Sequence, residues 1–298
     1  MAHMDADNST AILKPRRNYL LKDLLASSTA VFGLVVILLV IFMAVFAPII
    51  TDRDPKTTNL RARLTAPVPF EGSNPEFPLG TDAVGRDIWT RLAYGARVSL
   101  IVGFVSVMIA GTIGTILGLI SGYFGGWIDD VIMRLADIQL AFPFILLMLA
   151  VLAVVGPGLK NLILVLGLTG WVSYSRVVRG TVISLREKEF VEAARTIGAR
   201  DSRIIVHHIL PNIIGPVIII ASFSVASTII AEASLSFLGL GVTPDTPTWG
   251  IMLSEGREYI RDGWWLTTIP GLAIAMTVLG INLLGDWLRD EIDPRTIH

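Results

Sequence analysis

The residues whose types could do chemistry are two carboxylates, Asp137 and Glu232, two adjacent histidines, His207 and His208, and a charged stretch from Arg186 to Pro211. Asp137 and Glu232 border or enter long apolar runs. A charge at the centre of a membrane span costs about 2.5–3.5 kcal/mol on insertion scales, so it normally faces a bundle interior, a partner or water. Either the two acids line or gate a polar path through the bundle, or each sits near a helix end and reaches the interface or a neighbouring chain; the second is the simpler reading. His207 and His208 diverge around a helix and cannot form an i,i+4 metal pair, so packing is expected of them and no metal site. There is no phosphate loop of the form G-x-x-x-x-G-K-[ST], no H-E-x-x-H and no cysteine. The chain is therefore expected to have no catalytic residue, no disulfide and no nucleotide site of its own.

The stretch Arg186–Pro211 reads REKEFVEAARTIGARDSRIIVHHILP. Phe190, Ala194 and Ile197 recur at helical spacing with Val191 and Ala193 nearby, while Glu187, Lys188, Glu192 and Arg195 are polar. Gly198 is placed where a helix ends in a left-handed residue. Asp201 or Ser202 can cap a second short helix from Arg203 to Leu210, with Pro211 at the turn into the next apolar run. Such a helix–glycine–helix elbow suits a partner's groove; lying on lipid heads explains its basic residues equally well.

The elements that carry these residues must be transmembrane helices. Hydrophobic residues make up 53% of the 298 positions and charged ones 16%, which is too apolar for an ordinary soluble domain. Uncharged stretches at 24–50, 98–128, 138–159, 161–175, 204–231 and 263–285 compare with the roughly 20 apolar residues a bilayer crossing needs. The expected spans are about 28–50, 98–122, 132–155, 160–178, 210–232 and 264–286. The fourth is short and needs Lys160 and Arg176 to snorkel. The first is too long for a cleavable signal and is read as retained. An all-α, polytopic bundle of six transmembrane helices is the expected fold, with the charged elbow between helices 4 and 5.

Gly111, Gly114, Gly118 and Gly122 stripe one face of helix 2, for packing within the chain or against another. Trp249, Trp264 and Trp265 read as interface markers. The basic tail Lys14, Arg16, Arg17 and Lys22 favours both termini inside, although seven basic residues between 51 and 97 oppose it. A net charge of −1 points to no nucleic acid.

Glu192-Ala193-Ala194, then Gly198 and Leu210-Pro211, resembles the EAA loop of bacterial ABC importer permeases, with His208 where the family commonly has isoleucine. Other segments resemble its peptide and nickel branch: Gly80-Thr81-Asp82 with Gly85-Arg86-Asp87, Tyr94 to Leu100, Ser121 to Trp127, Ser234 to Gly241, Trp249-Gly250, and Gly285 to Arg295. The pattern is similar to the C-type permease of dipeptide and oligopeptide importers. The resemblance implies an N-terminal part at 1–95 (tail, first helix, outer loop) and an importer transmembrane domain at 96–298 with its coupling loop at 179–208. It implies that Glu192, Ala193, Ala194, Arg195, Gly198, Leu210 and Pro211 couple to an ATPase, and it makes Asp137 and Glu232 candidates for the solute path. The implied partners are a homologous second permease, two cytoplasmic ABC ATPases that hold ATP and magnesium, an extracytoplasmic solute-binding protein and membrane lipid. The implied location is the bacterial cytoplasmic membrane. Nickel, glutathione or an oligosaccharide is the alternative cargo, and a non-transporting membrane scaffold is the alternative class.

Overall fold

The structure is a computed structural model that describes residues 20–292. Lys14, Arg16, Arg17 and the tail residues Asp293, Pro294 and Arg295 lie outside the described residues. The elements are α1 (Leu20–Ala26), α2 (Ser28–Ile50), α3 (Ile88–Phe124), α4 (Gly126–Leu140), α5 (Phe144–Val155), α6 (Leu159–Thr169), α7 (Trp171–Arg186), α8 (Glu189–Thr196), α9 (Asp201–Ile204), α10 (Leu210–Phe237), α11 (Trp249–Gly256) and α12 (Trp265–Ile292). The described residues hold no β-strand, only isolated bridges.

Five helical stretches are long and apolar enough to cross a bilayer: Ser28–Ile50, Ile88–Phe124, Leu159–Arg186, Asp201–Phe237 and Trp265–Ile292. The third expected span is the irregular one. It consists of α4 and α5, bent by 88° at their junction. Pro143 explains the break: it offers no N–H to α4 and disfavours helical backbone at Phe142. Counting that bent pair as one span gives six. The fourth run, short by its uncharged length, is instead carried by α6 and α7 over 28 residues. Arg176 pairs with Asp137 of α4, and Arg179 grips Asp129 with two hydrogen bonds of 2.5 Å. The second span begins ten residues earlier than expected, at Ile88, where Asp87 caps it by accepting from the amides of Trp89 and Thr90.

α3 is the hub, touching α2, α4, α6, α7, α10 and α11. Its glycine stripe packs within the chain. A Cβ on Gly114 would stand 2.4 Å from the Trp171 carbonyl oxygen, and one on Gly118 would stand 2.6 Å from that of Ser175. The α3 and α7 backbones therefore run in direct contact, which only glycine permits here. α2 closes against α12, with Gly33 set against the Gly280 carbonyl. The opposite face of α2 presents Leu38, Leu39, Phe42 and Val45 outward, which suits hydrocarbon and not water.

Candidate functional site: the elbow and the opposite cap

The elbow runs from α7 through α8 and α9 into α10. α8 ends in a Schellman closure: the Ala199 amide donates to the Ala194 carbonyl at 3.0 Å, and the Gly198 amide donates to the Arg195 carbonyl at 2.9 Å. Gly198 carries φ +81° with open space around it, so a side chain there would be resisted by the backbone and not by a neighbour. Neither Asp201 nor Ser202 caps α9 in the expected way. Arg200 precedes the helix without a side-chain cap, and the Asp201 carboxylate accepts from the Tyr123 hydroxyl at 2.6 Å. α9 then passes through a π turn, Ile205–Ile209, straight into α10. Pro211 lacks the N–H that would reach the His207 carbonyl, and the wider turn, with the Leu210 amide donating to Ile205, absorbs the mismatch.

The apolar stripe of α8 divides. Val191 and Ala194 are buried in one cluster with Leu119 and Tyr123 of α3, Val178 and Val182 of α7, and Ile204, Ile209 and Ile213. Phe190, Ala193 and Ile197 face out, Ile197 with 85% of its surface exposed. Fully burying an aliphatic side chain is worth about 1.5–3 kcal/mol, so an outward Ile197 beside an outward Phe190 is a surface that gains by being covered. Glu192 and Arg195 flank it, exposed. Leu210 packs partly into the cluster and Pro211 is exposed. The seven expected coupling residues thus fall into three roles: Glu192, Ala193, Arg195 and Pro211 are on the surface, Ala194 and Leu210 in the anchor, and Gly198 in the hinge of the turn. Tyr123, which spacing along the elbow could not reveal, ties the pieces together. Its ring lies under the Arg195 guanidinium at 5.3 Å, and its carbonyl accepts from Arg186 at 3.2 Å. His208 packs near Phe190, with ring centroids 6.4 Å apart.

At the other end of α10 lies a cap made by residues 51–87, α11 and the start of α12. Its centre is a charge cluster: Arg91, only 2% exposed, donates at 2.6 Å both to Asp82 and to Glu255. Arg86 donates to the same two carboxylates at 2.6 and 2.8 Å. Burial works against the Arg86 charge, but the Asp82 and Glu255 carboxylates outweigh it and hold the guanidinium above its ordinary pKa. Trp249 and Trp265 are not interface markers. Both are buried, and their indole N–H groups donate at 3.1 Å to the carbonyls of Leu92 and Thr81. Trp264 alone of the three is exposed.

The two acids that border the apolar runs differ. Asp137 is exposed and ion-paired with Arg176. Glu232 is wholly buried, accepting from Ser99 of α3 at 3.2 Å and from Ser236 at 2.8 Å. Among the described residues no group of three or more acids and histidines could hold a metal.

The chain matches the family model "Binding-protein-dependent transport system inner membrane component" over residues 114–298, and "N-terminal TM domain of oligopeptide transport permease C" over 19–67. It is 44% identical to the dipeptide transport system permease protein DppC of Alkalihalophilus pseudofirmus, over 97% of this chain and 92% of that protein. It is 43% identical to the di/tripeptide transport system permease protein DppC of Pseudomonas aeruginosa, over 89% and 88%. Identity to the oligopeptide transport system permease protein OppC of Bacillus subtilis is 39%, over 91% and 87%. Among solved structures, an inward facing conformation of the MetNI methionine ABC transporter matches with a TM-score of 0.56 at 20% identity, over 69% of this chain and 97% of that one. At that identity the match speaks for the fold.

Proposed function

The chain belongs to the binding-protein-dependent transport system inner membrane components, and on that premise we propose that it is one of two homologous permease subunits of an ATP-driven ABC importer for dipeptides and oligopeptides. Relatives of matching length are peptide permeases by name, which supports the cargo class. The chain itself is a conduit and no enzyme. ATP and magnesium belong to two cytoplasmic ATPases, and an extracytoplasmic solute-binding protein delivers the peptide. The elbow and both termini lie on the ATPase side.

The observation that carries the coupling role is the divided stripe of α8. An ATPase groove closes over Phe190, Ala193 and Ile197, while Val191 and Ala194 hold the same helix in the cluster formed by the ends of α3, α7 and α10. A displacement of α8 therefore moves three spans together, because a close-packed cluster transmits shifts and does not absorb them. Interleaved charges (Glu189, Glu192, Arg195) favour a protein groove over anionic lipid, which would select a uniformly basic face. Glu232 acts by holding α3 to α10. Asp137 with Arg176 remains available to solute or to the second permease.

The test is Gly198→Val in the assembled complex. A β-branched residue at φ +81° stores about 1–3 kcal/mol of strain and re-aims α9 against α8. Uptake is expected to fall at least tenfold, with weakened retention of the ATPase. Normal uptake with the elbow so disturbed would remove the coupling role.

A further inference from the structure

Where α4 breaks into α5, α6 also gives way to α7, and one side chain bridges both interruptions. The Gln139 amide donates at 2.5 Å to the Thr169 carbonyl and accepts at 2.9 Å from the Trp171 indole. Non-helical backbone at membrane depth is tolerated only where protein buries it or where it lines a water-filled cavity. A cavity is there. It occupies about 330 Å³ between α3, the α4–α5 bend, the α6–α7 junction and α10, far above the roughly 10–15 Å³ that one water needs. Most of its wall is apolar, its polar points are uncharged hydrogen-bonding groups, among them Gln139, Ser173, Tyr174, Ser224, Ser227 and Thr228, and none of the side chains lining it is charged. Tyr174 is buried, and among the described residues its hydroxyl has only Ser224 beside it, without good hydrogen-bond geometry. A buried hydroxyl left without a partner costs free energy, so this wall is incomplete until something polar stands against it.

We propose that this chamber is the subunit's solute wall, and that it takes the main-chain amides of a passing peptide through hydroxyl and carboxamide hydrogen bonds, with Tyr174 and Ser224 as the contact pair. This rests on the peptide-import reading and supplies its contact residues. Amides are the group that peptides of every sequence share. Hydroxyls both donate and accept, so they match an amide's N–H and C=O without regard to side chain. A wall without charge neither traps a cationic peptide nor repels an anionic one, and weak neutral bonds let the cargo leave. Specificity for side chains is thereby left to the other components.

The chain contains no cysteine, so single cysteines report cleanly on the chamber. In the reconstituted importer, Ser224→Cys and Ser227→Cys are exposed to a charged, membrane-impermeant thiol reagent during turnover, with and without dialanine or trialanine. Phe42→Cys on the outward apolar face of α2 serves as the lipid-facing control. Both chamber cysteines are expected to label faster than the control and to be slowed by peptide. Tyr174→Phe, which removes one oxygen and keeps the ring, is expected to raise KM for peptide about fivefold, the weight of one neutral hydrogen bond. Chamber cysteines that stay inert, or that label equally with and without peptide, would make the chamber a water-filled packing void and overturn the assignment. An unchanged KM in Tyr174→Phe would remove Tyr174 from the contact pair. A wild-type importer that takes up neither peptide would overturn the peptide reading itself, and with it the chamber's occupant.

Discussion

The two ends of α10 are built by opposite rules. At the cap, Arg86 and Arg91 share Asp82 and Glu255 in a buried charge cluster, and two indoles hang from backbone carbonyls. The polar groups buried in that cluster are spent on one another and on the backbone. At the elbow, a few charge-assisted hydrogen bonds, Tyr123 to Asp201 and Arg186 to the Tyr123 carbonyl among them, reinforce an apolar cluster, and large apolar side chains are left outside it. A region that must keep its shape consumes its own hydrogen-bonding capacity. A region that must be moved by another molecule keeps a firm root and an unfilled surface.

This contrast can be broken at either end. The largest effect is expected at the cap: Arg91→Met leaves Asp82 and Glu255 sharing Arg86 alone in a mostly buried site, and removing one partner of a buried ion pair costs about 3–5 kcal/mol. Thermal unfolding in detergent should register it as a fall in Tm together with poor membrane yield. An effect below about 1 kcal/mol, the range of exposed pairs, would mean that the cap does not depend on its charges. At the elbow, Tyr123→Phe deletes one hydrogen bond to a carboxylate, worth about 1.5–3 kcal/mol. The expected change is a smaller fall in Tm and fewer peptides moved per ATP, with the ATPase still bound. Loss of ATPase binding instead would make Tyr123 part of the docking surface and not of the root.

The smallest expected effect is one of pH. The Arg86 guanidinium lies above its ordinary value in the folded chain. A group with a raised folded pKa contributes stability that is complete below its unfolded pKa and is lost only as pH rises through the folded value. That window is strongly alkaline, so cap stability should be flat with respect to Arg86 across the neutral range. A Tm that fell between mildly acid and mildly alkaline buffer in the wild type, and became flat in Arg86→Met, would contradict this.

The bundle was legible because apolar run length is a physical requirement of the bilayer. It misled where two local effects intervened. Pro143 broke a run that was long enough to look secure, and the ion pairs Asp137–Arg176 and Asp129–Arg179 let a charged stretch continue as the helix α7. The turn at Gly198 was readable because the backbone there admits little but glycine. The division of the α8 stripe was not, since spacing says which residues share a face and not how much of that face the rest of the fold covers. Tyr123 and Gln139 were invisible for the same reason: each joins segments about 30 or more residues apart.

The central claim is that Phe190, Ala193 and Ile197 are the surface an ATPase grips. It is tested most directly by Ile197→Cys in this cysteine-free chain, carrying a short photoactivated cross-linker, with Phe70→Cys at the cap as the companion site. In the assembled importer the elbow position is predicted to capture the ATPase subunit, more strongly with nucleotide bound, while Phe70 captures none. An elbow probe that never reaches the ATPase in a complex that still transports, or an ATPase trapped from Phe70, would contradict the account.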